Sequence, residues 1–366
     1  MRFKRNAMCW CGSGKKYKKC HLNRNNKEAI GKDVIYKQLN SFYERKLCSV
    51  PDSFKNNCTK KIIKAHSVSK SSSLKDIENS GHVLTTFKTS ANFDSNFKFK
   101  PKKIGINQAS TFTGFCSYHD KNLFAPIEDK EFELTTYNCF LVAYRAIARE
   151  FFVKERASGT LNLIKELDRG RDLATQFSIQ QAHQYFSANN DLTSSDLAFI
   201  KNVFDDCLVN QIFEKISHII LKLDTAPMVL TSAVVAPSFD FQGDKIQNIT
   251  SDPKNIPHYM AVNSFSSNGK GYIVLSWLKE HKATCEKFID SLTSTISIPD
   301  SFVTFMFATI ENLYMSERWW NSLEDKSRNE LINLIAVGIN TPIFSDSYVT
   351  MHKYHAFEIV DTVRIN

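Results

Sequence analysis

Cys9, Cys11, Cys20 and His21 fall within thirteen residues, CWCGSGKKYKKCH, whose other members are mostly glycine, serine and lysine. Such a stretch has too little apolar surface to order itself by burial. Two thiolates one residue apart can take one side of a tetrahedral ion, and an adjacent Cys-His pair can close the other. Gly12 and Gly14 permit the tight backbone path that follows the first pair. The pattern C-x-C-x8-C-H therefore predicts a zinc site, with the ion supplying folding free energy that the segment cannot draw from a core.

These residues resemble the SEC-C motif, a small zinc module known from the C-terminal tail of the bacterial preprotein translocase motor. The resemblance rests on Cys9, Cys11, Gly12, Ser13, Gly14, Lys15, Tyr17, Cys20 and His21, with Trp10 where the family commonly has proline. It implies zinc, and a role in contacting a protein or a nucleic acid. The same stretch holds GSGKK, which invites comparison with a phosphate loop. A Walker A sequence needs G-x-x-x-x-G-K-[ST] between a strand and a helix. Here Cys9 stands in the first glycine's place and Lys16 in that of the hydroxyl residue. No NTPase is expected.

A second set of ligand types is spread over residues 48–119. Cys48, Cys58, Cys116 and His119 could hold another zinc ion, the last two as C-x-x-H. The alternative is a group of buried thiols with a capping histidine. His66 follows KIIKA, a strand-like run whose end would present its imidazole. In FCSYHDKNLF, Cys116, His119 and Asp120 share one helical or tight-turn face. A strand-end histidine followed by a metal-bearing helix resembles the HNH or ββα-metal nucleases. That resemblance implies His66 as general base, with Asp120, joined by Glu128, holding Mg2+ or Mn2+ against phosphoryl charge. A structural treble-clef-like zinc fold uses the same cysteines and leaves His66 as a hydrogen-bonded turn residue.

Charge is unevenly placed around these residues. Residues 1–27 carry nine Lys or Arg and no Asp or Glu, whereas residues 28–366 carry 38 of each sign. The formal +9 of the chain is thus the charge of its first segment, which reads as an arm or module facing an anionic partner. Between the two halves of the second cluster, FKTSANFDSNFKFKPKKIG (87–105) interleaves Phe87, Phe93, Phe97 and Phe99 with five lysines. Lysines neutralise phosphates and exposed aromatics stack on bases; the other reading is a loop whose phenylalanines fold inward.

Elements must position these groups, and the 366 residues, 42% hydrophobic with 28 Phe, can build a sizeable core. A short helix is expected over VIYKQLNSFYERKLC and a long amphipathic one over 131–157. Another is expected through Leu197, Ile200, Phe204, Cys207, Leu208, Ile212, Ile216, Ile219 and Leu223, with SSD as its N-cap. Strand character begins near Pro227, and SNGKG between two strand-like runs predicts a hairpin. SFVTFMFATI is a further strand candidate with helix as its alternative, and helix returns in ENLYMSERWWNSLEDKSRNELINLIAVG. Cys139 and Cys207 are expected as core thiols.

The fold expected is α+β: a zinc module over 1–27, an HNH-like or treble-clef-like domain over 34–130, and a larger mixed domain over 131–366. No run approaches the roughly 20 apolar residues of a membrane helix, and the basic N-terminus leads into no apolar stretch, so a cytoplasmic location is expected. The expected function is a zinc-containing, HNH-like nuclease of the kind bacteria use against foreign nucleic acid. The alternative is a non-catalytic zinc protein that binds nucleic acid, ribosome or a partner protein.

Overall fold

The computed structural model describes residues 3–43, 46–86, 99–249, 252, 255–340 and 347–365. They form two compact units, one of 1–46 with 151–198 and the other of 47–150 with 199–366. The fold is α+β, as the sequence predicts.

The larger unit is built on a sheet of order β10-β5-β8-β7-β6-β9-β2-β3. Its strands are β2 (His82–Thr85), β3 (Lys102–Gly105), β5 (Ile216–Leu223), β6 (Val229–Val235), β7 (Met260–Ser267), β8 (Lys270–Leu278), β9 (Tyr314–Met315) and β10 (Ile359–Ile365). All the pairings are antiparallel. β7 and β8 are joined by Asn268 and Gly269, both with positive φ, which is the two-residue turn that the Asn-Gly signal predicts. Along β5 and β8, Ile219, Leu221, Leu223, Ile273, Leu275 and Trp277 enter one core with α6 (Lys282–Thr293), α7 (Ile298–Thr309), α8 (Glu317–Ser322) and α9 (Asp325–Asn340). The alternate residues Ile220, Tyr272 and Val274 pack on Cys139 and Val142 of α4 (Thr136–Ile164). Apolar side chains on both faces make these strands interior ones. Trp319 and Trp320 lie in the first of these cores, and Cys139, Cys207 and Cys285 are buried.

A separate two-stranded sheet pairs β1 (Ile62–His66) with β4 (Thr111–Cys116), and α3 (Ser117–Glu128) follows β4 directly. The short α2 (Lys75–Ile77) lies between β1 and β2. In the smaller unit, α1 (Lys32–Tyr43), residues 151–164 of α4 and residues 173–198 of α5 (Leu173–Asn210) accompany the N-terminal segment.

Two element readings are corrected. Ser194–Asp196 lies inside α5 rather than at its start, and the run from Ile216 to Leu223 is the strand β5. A stretch buried on all sides carries no periodicity to separate strand from helix. SFVTFMFATI is helical, in α7, where the Ser297 side chain accepts from the Asp300 N–H and Pro299 sits in the first turn. Residues 87–98 of the Phe/Lys stretch lie outside the described residues. Within the rest, Phe99 is buried in the main core and Lys103 pairs with Glu317 at 2.6 Å.

Candidate metal centres

In the N-terminal segment the Cys9 N–H donates to the Lys15 carbonyl at 2.8 Å, closing a loop whose Gly12 and Gly14 have φ of 72° and 69°. Those left-handed conformations are ones that glycine adopts at little cost. A 3-10 turn, Tyr17–Lys19, then delivers Cys20 and His21, whose N–H groups both donate to the Tyr17 carbonyl. The loop and the turn bring all four ligand atoms within 4.8 Å of one another. His21 Nδ1 lies 3.2 Å from both Cys9 Sγ and Cys20 Sγ, and Cys11 Sγ is 3.6 Å from Cys20 Sγ. Around zinc, tetrahedral S and N donors stand roughly 3.5–3.8 Å apart, so the set fits that ion. Burial pushes the Cys9 thiol up to about 12, and a thiolate there requires a cation beside it.

What fixes the imidazole was not visible in the motif. His21 Nε2 donates to Asp168 Oδ2 at 2.8 Å, which leaves the Nδ1 lone pair facing the thiols. Asp168 is fully buried and also accepts from Arg24 Nε at 2.6 Å and Gln180 Nε2 at 2.7 Å. Burial acts to raise its pKa, but the hydrogen bonds from Arg24, His21 and Gln180 outweigh this and hold it below the usual carboxylate range. Gln184 Nε2 donates to the Cys11 carbonyl at 2.8 Å, and the Trp10 ring packs on Phe177 at 5.3 Å. The helical segments therefore grip the loop at both pairs of ligands.

The second candidate set also comes together: Cys48, Cys58, Cys116 and His119 place their ligand atoms within 4.8 Å of one another. His119 Nδ1 is 3.5 Å from Cys48 Sγ, 3.4 Å from Cys58 Sγ and 3.3 Å from Cys116 Sγ. Cys116 ends β4 and caps α3, so C-x-x-H straddles a strand-to-helix corner. Among the described residues these two Cys3His sets are the only groups of three or more Cys, His, Asp or Glu ligands with such spacing.

His66 ends β1 as the sequence predicts, half-buried, and donates from Nε2 to the Ile106 carbonyl at 3.0 Å. Burial pushes its pKa below the ordinary imidazole value, so it is neutral with Nδ1 as acceptor. Asp120 lies in the first turn of α3, and burial pushes it up to about 6 against the attraction of Arg145. Both residues feel the same Arg145–Glu128 pair, whose Nη1 to Oε1 distance is 2.8 Å. Arg145 is 4% exposed, stacks over Phe124, and leaves Nε and Nη2 without a hydrogen-bond partner among the described residues.

Compared with known protein families, residues 5–23 match the SEC-C motif. No curated protein matches the chain, and no solved structure does. The matched residues contain the complete first ligand set, a Cys/His group compatible with zinc. No match covers residues 58–128, so the HNH resemblance receives no support from these comparisons.

Proposed function

We propose that this chain is a non-catalytic zinc protein that binds nucleic acid through the basic surface of its N-terminal module. The observation that carries the reading is the exposure of Lys4, Arg5, Lys15, Lys16, Lys18, Lys19 and Lys27 around the first ligand set. Among the described residues no ion pair uses these seven side chains; Arg24, the other basic residue described there, is turned inward onto Asp168. A surface of one sign with no internal counter-charge favours a polyanion, and neutralised phosphates release their counterions on binding. The chemistry assigned to zinc is structural: three thiolates and an imidazole fill a tetrahedron and leave no position for water or substrate. Fluorescence anisotropy with labelled single- and double-stranded DNA and RNA tests the proposal. The variant K15Q/K16Q/K18Q/K19Q should lose at least tenfold in affinity while retaining its zinc. Unchanged affinity in that variant would leave a protein partner as the better reading of the module.

A second reading, phosphodiester cleavage, is favoured by one observation: His66 at the end of β1 and Asp120 in α3 are both within electrostatic reach of the Glu128–Arg145 ion pair. On that reading a neutral His66 accepts a proton from water through Nδ1, and Asp120 with Glu128 holds Mg2+ or Mn2+. His66→Ala should then abolish metal-dependent cleavage and spare binding. A wild-type chain inert toward DNA and RNA in both metals removes this reading.

A further inference from the structure

We infer that Cys48, Cys58, Cys116 and His119 hold a second zinc ion, in a closed centre that fastens residues 47–58 to the β1–β4–α3 element. It lies outside the matched motif and stands independently of the nucleic-acid proposal.

Different elements bring the four ligands to the place. Residues 47–49 run along β4, with the Leu47 and Ser49 N–H groups donating to the Thr113 and Gly114 carbonyls at 3.2 and 2.8 Å. That pairing positions Cys48. Cys116 and His119 follow from the end of β4 and the first turn of α3. Cys58 is different. It follows the 3-10 turn Asp52–Asn57, in which no side chain is buried. The pair Lys55–Asp52 inside that turn is exposed, and such pairs contribute little. Full apolar burial ends at Val50 and Pro51, with Phe54 of the turn only partly covered, yet Cys58 Sγ lies 3.4 Å from His119 Nδ1. A shared ion explains why a solvated turn returns its last thiol to the other three ligands.

The donor set then selects the ion. Three sulfurs and one imidazole nitrogen, with no carboxylate among them, suit zinc and disfavour Mg2+, Mn2+ or Ca2+. Four protein ligands leave no open position, which makes the centre structural. Second contacts support the assignment. The Cys116 N–H points to Cys48 Sγ at 3.4 Å, a hydrogen bond that favours the thiolate. Tyr144, bonded to Asp205 at 2.7 Å and to the Ser49 carbonyl at 3.2 Å, anchors the extended segment beside Cys48.

Native mass spectrometry of the full chain, purified under reducing conditions with zinc, tests this directly. Two zinc ions per chain are expected, and one ion per wild-type chain overturns the proposal. Cys58→Ser and Cys11→Ser should each retain one ion, and the double variant none. Retention of two ions by Cys58→Ser also overturns it, as does a disulfide joining any two of Cys48, Cys58 and Cys116 in the reduced preparation. The wild-type count remains decisive should a variant fail to fold. In the Cys11→Ser background, Co2+ bound in place of zinc should show intense tetrahedral absorption that added inorganic phosphate leaves unchanged. A phosphate-induced change would overturn the closed centre.

Discussion

The proton on His21 Nε2 shows how much a single contact can settle. Its donation to Asp168 fixes which nitrogen faces the thiols, and Arg24 and Gln180 hold the carboxylate in place. Removing an outer-shell partner of this kind lowers metal affinity by about 10–100-fold. Asp168→Asn should therefore release zinc from the first centre at a lower chelator concentration, with the second centre unaffected. Asp168→Ala should also loosen the buried Arg24, which then lacks its main counter-charge. Equal zinc retention by wild type and Asp168→Asn would show that the contact is incidental. At this scale the sequence was informative about ligands, because C-x-C-x8-C-H is a local pattern with its own chemistry. It was silent about Asp168, which stands 147 residues from His21 in a segment with no motif. That Arg145 Nε and Nη2 lack a hydrogen-bond partner among the described residues was equally hidden, since a lone arginine in an apolar helix does not reveal what its guanidinium meets.

Elements carry the ligands, and one glycine shows how closely they are fitted. Gly114 lies in β4 beside the extended residues 47–49, where an added Cβ would overlap the Phe112 ring and approach Ser49 Oγ at 3.4 Å. Phe112 is buried and cannot swing aside freely. Gly114→Ala should destabilise the larger unit by about 1–3 kcal/mol. It should also displace the extended segment that carries Cys48, so zinc should fall toward one ion per chain. Urea midpoints together with metal counts check both consequences, and a fully stable variant with unchanged zinc would contradict them. The β7–β8 hairpin and the β1 strand ending at His66 were legible because turn chemistry and short alternation are local signals. The extents of α5 and β5 were not. Apolar residues run through both, and only tertiary burial on two faces decides that Ile216–Leu223 is extended.

For the whole molecule, acid should act through histidines as well as through zinc ligands. His218 is 1% exposed on β5 with Nδ1 2.8 Å from Ser276 Oγ, and burial pushes it down to about 3. His281 is pushed down to about 4 by burial and then by the neighbouring His258. Both are neutral in the folded chain, whereas unfolded histidines take up protons near pH 6.5. The unfolded state thus binds more protons below that pH, so stability is full above about 6.5 and declines as pH falls toward 4. Each histidine should remove on the order of 3 kcal/mol across that window. The variant H218Q/H281Q should accordingly show a flatter pH profile of urea midpoints than wild type, and parallel profiles would contradict the assignment. The whole +9 excess was legible in the sequence, and its side chains, Arg24 excepted, are exposed where described. The most direct test is the salt dependence of nucleic-acid affinity. Seven phosphate contacts predict a log–log slope of up to about −6 on duplex DNA, and K15Q/K16Q/K18Q/K19Q should reduce its magnitude by about 3–4. A slope near zero in the wild type, or an identical slope in the zinc-replete variant, would contradict the account.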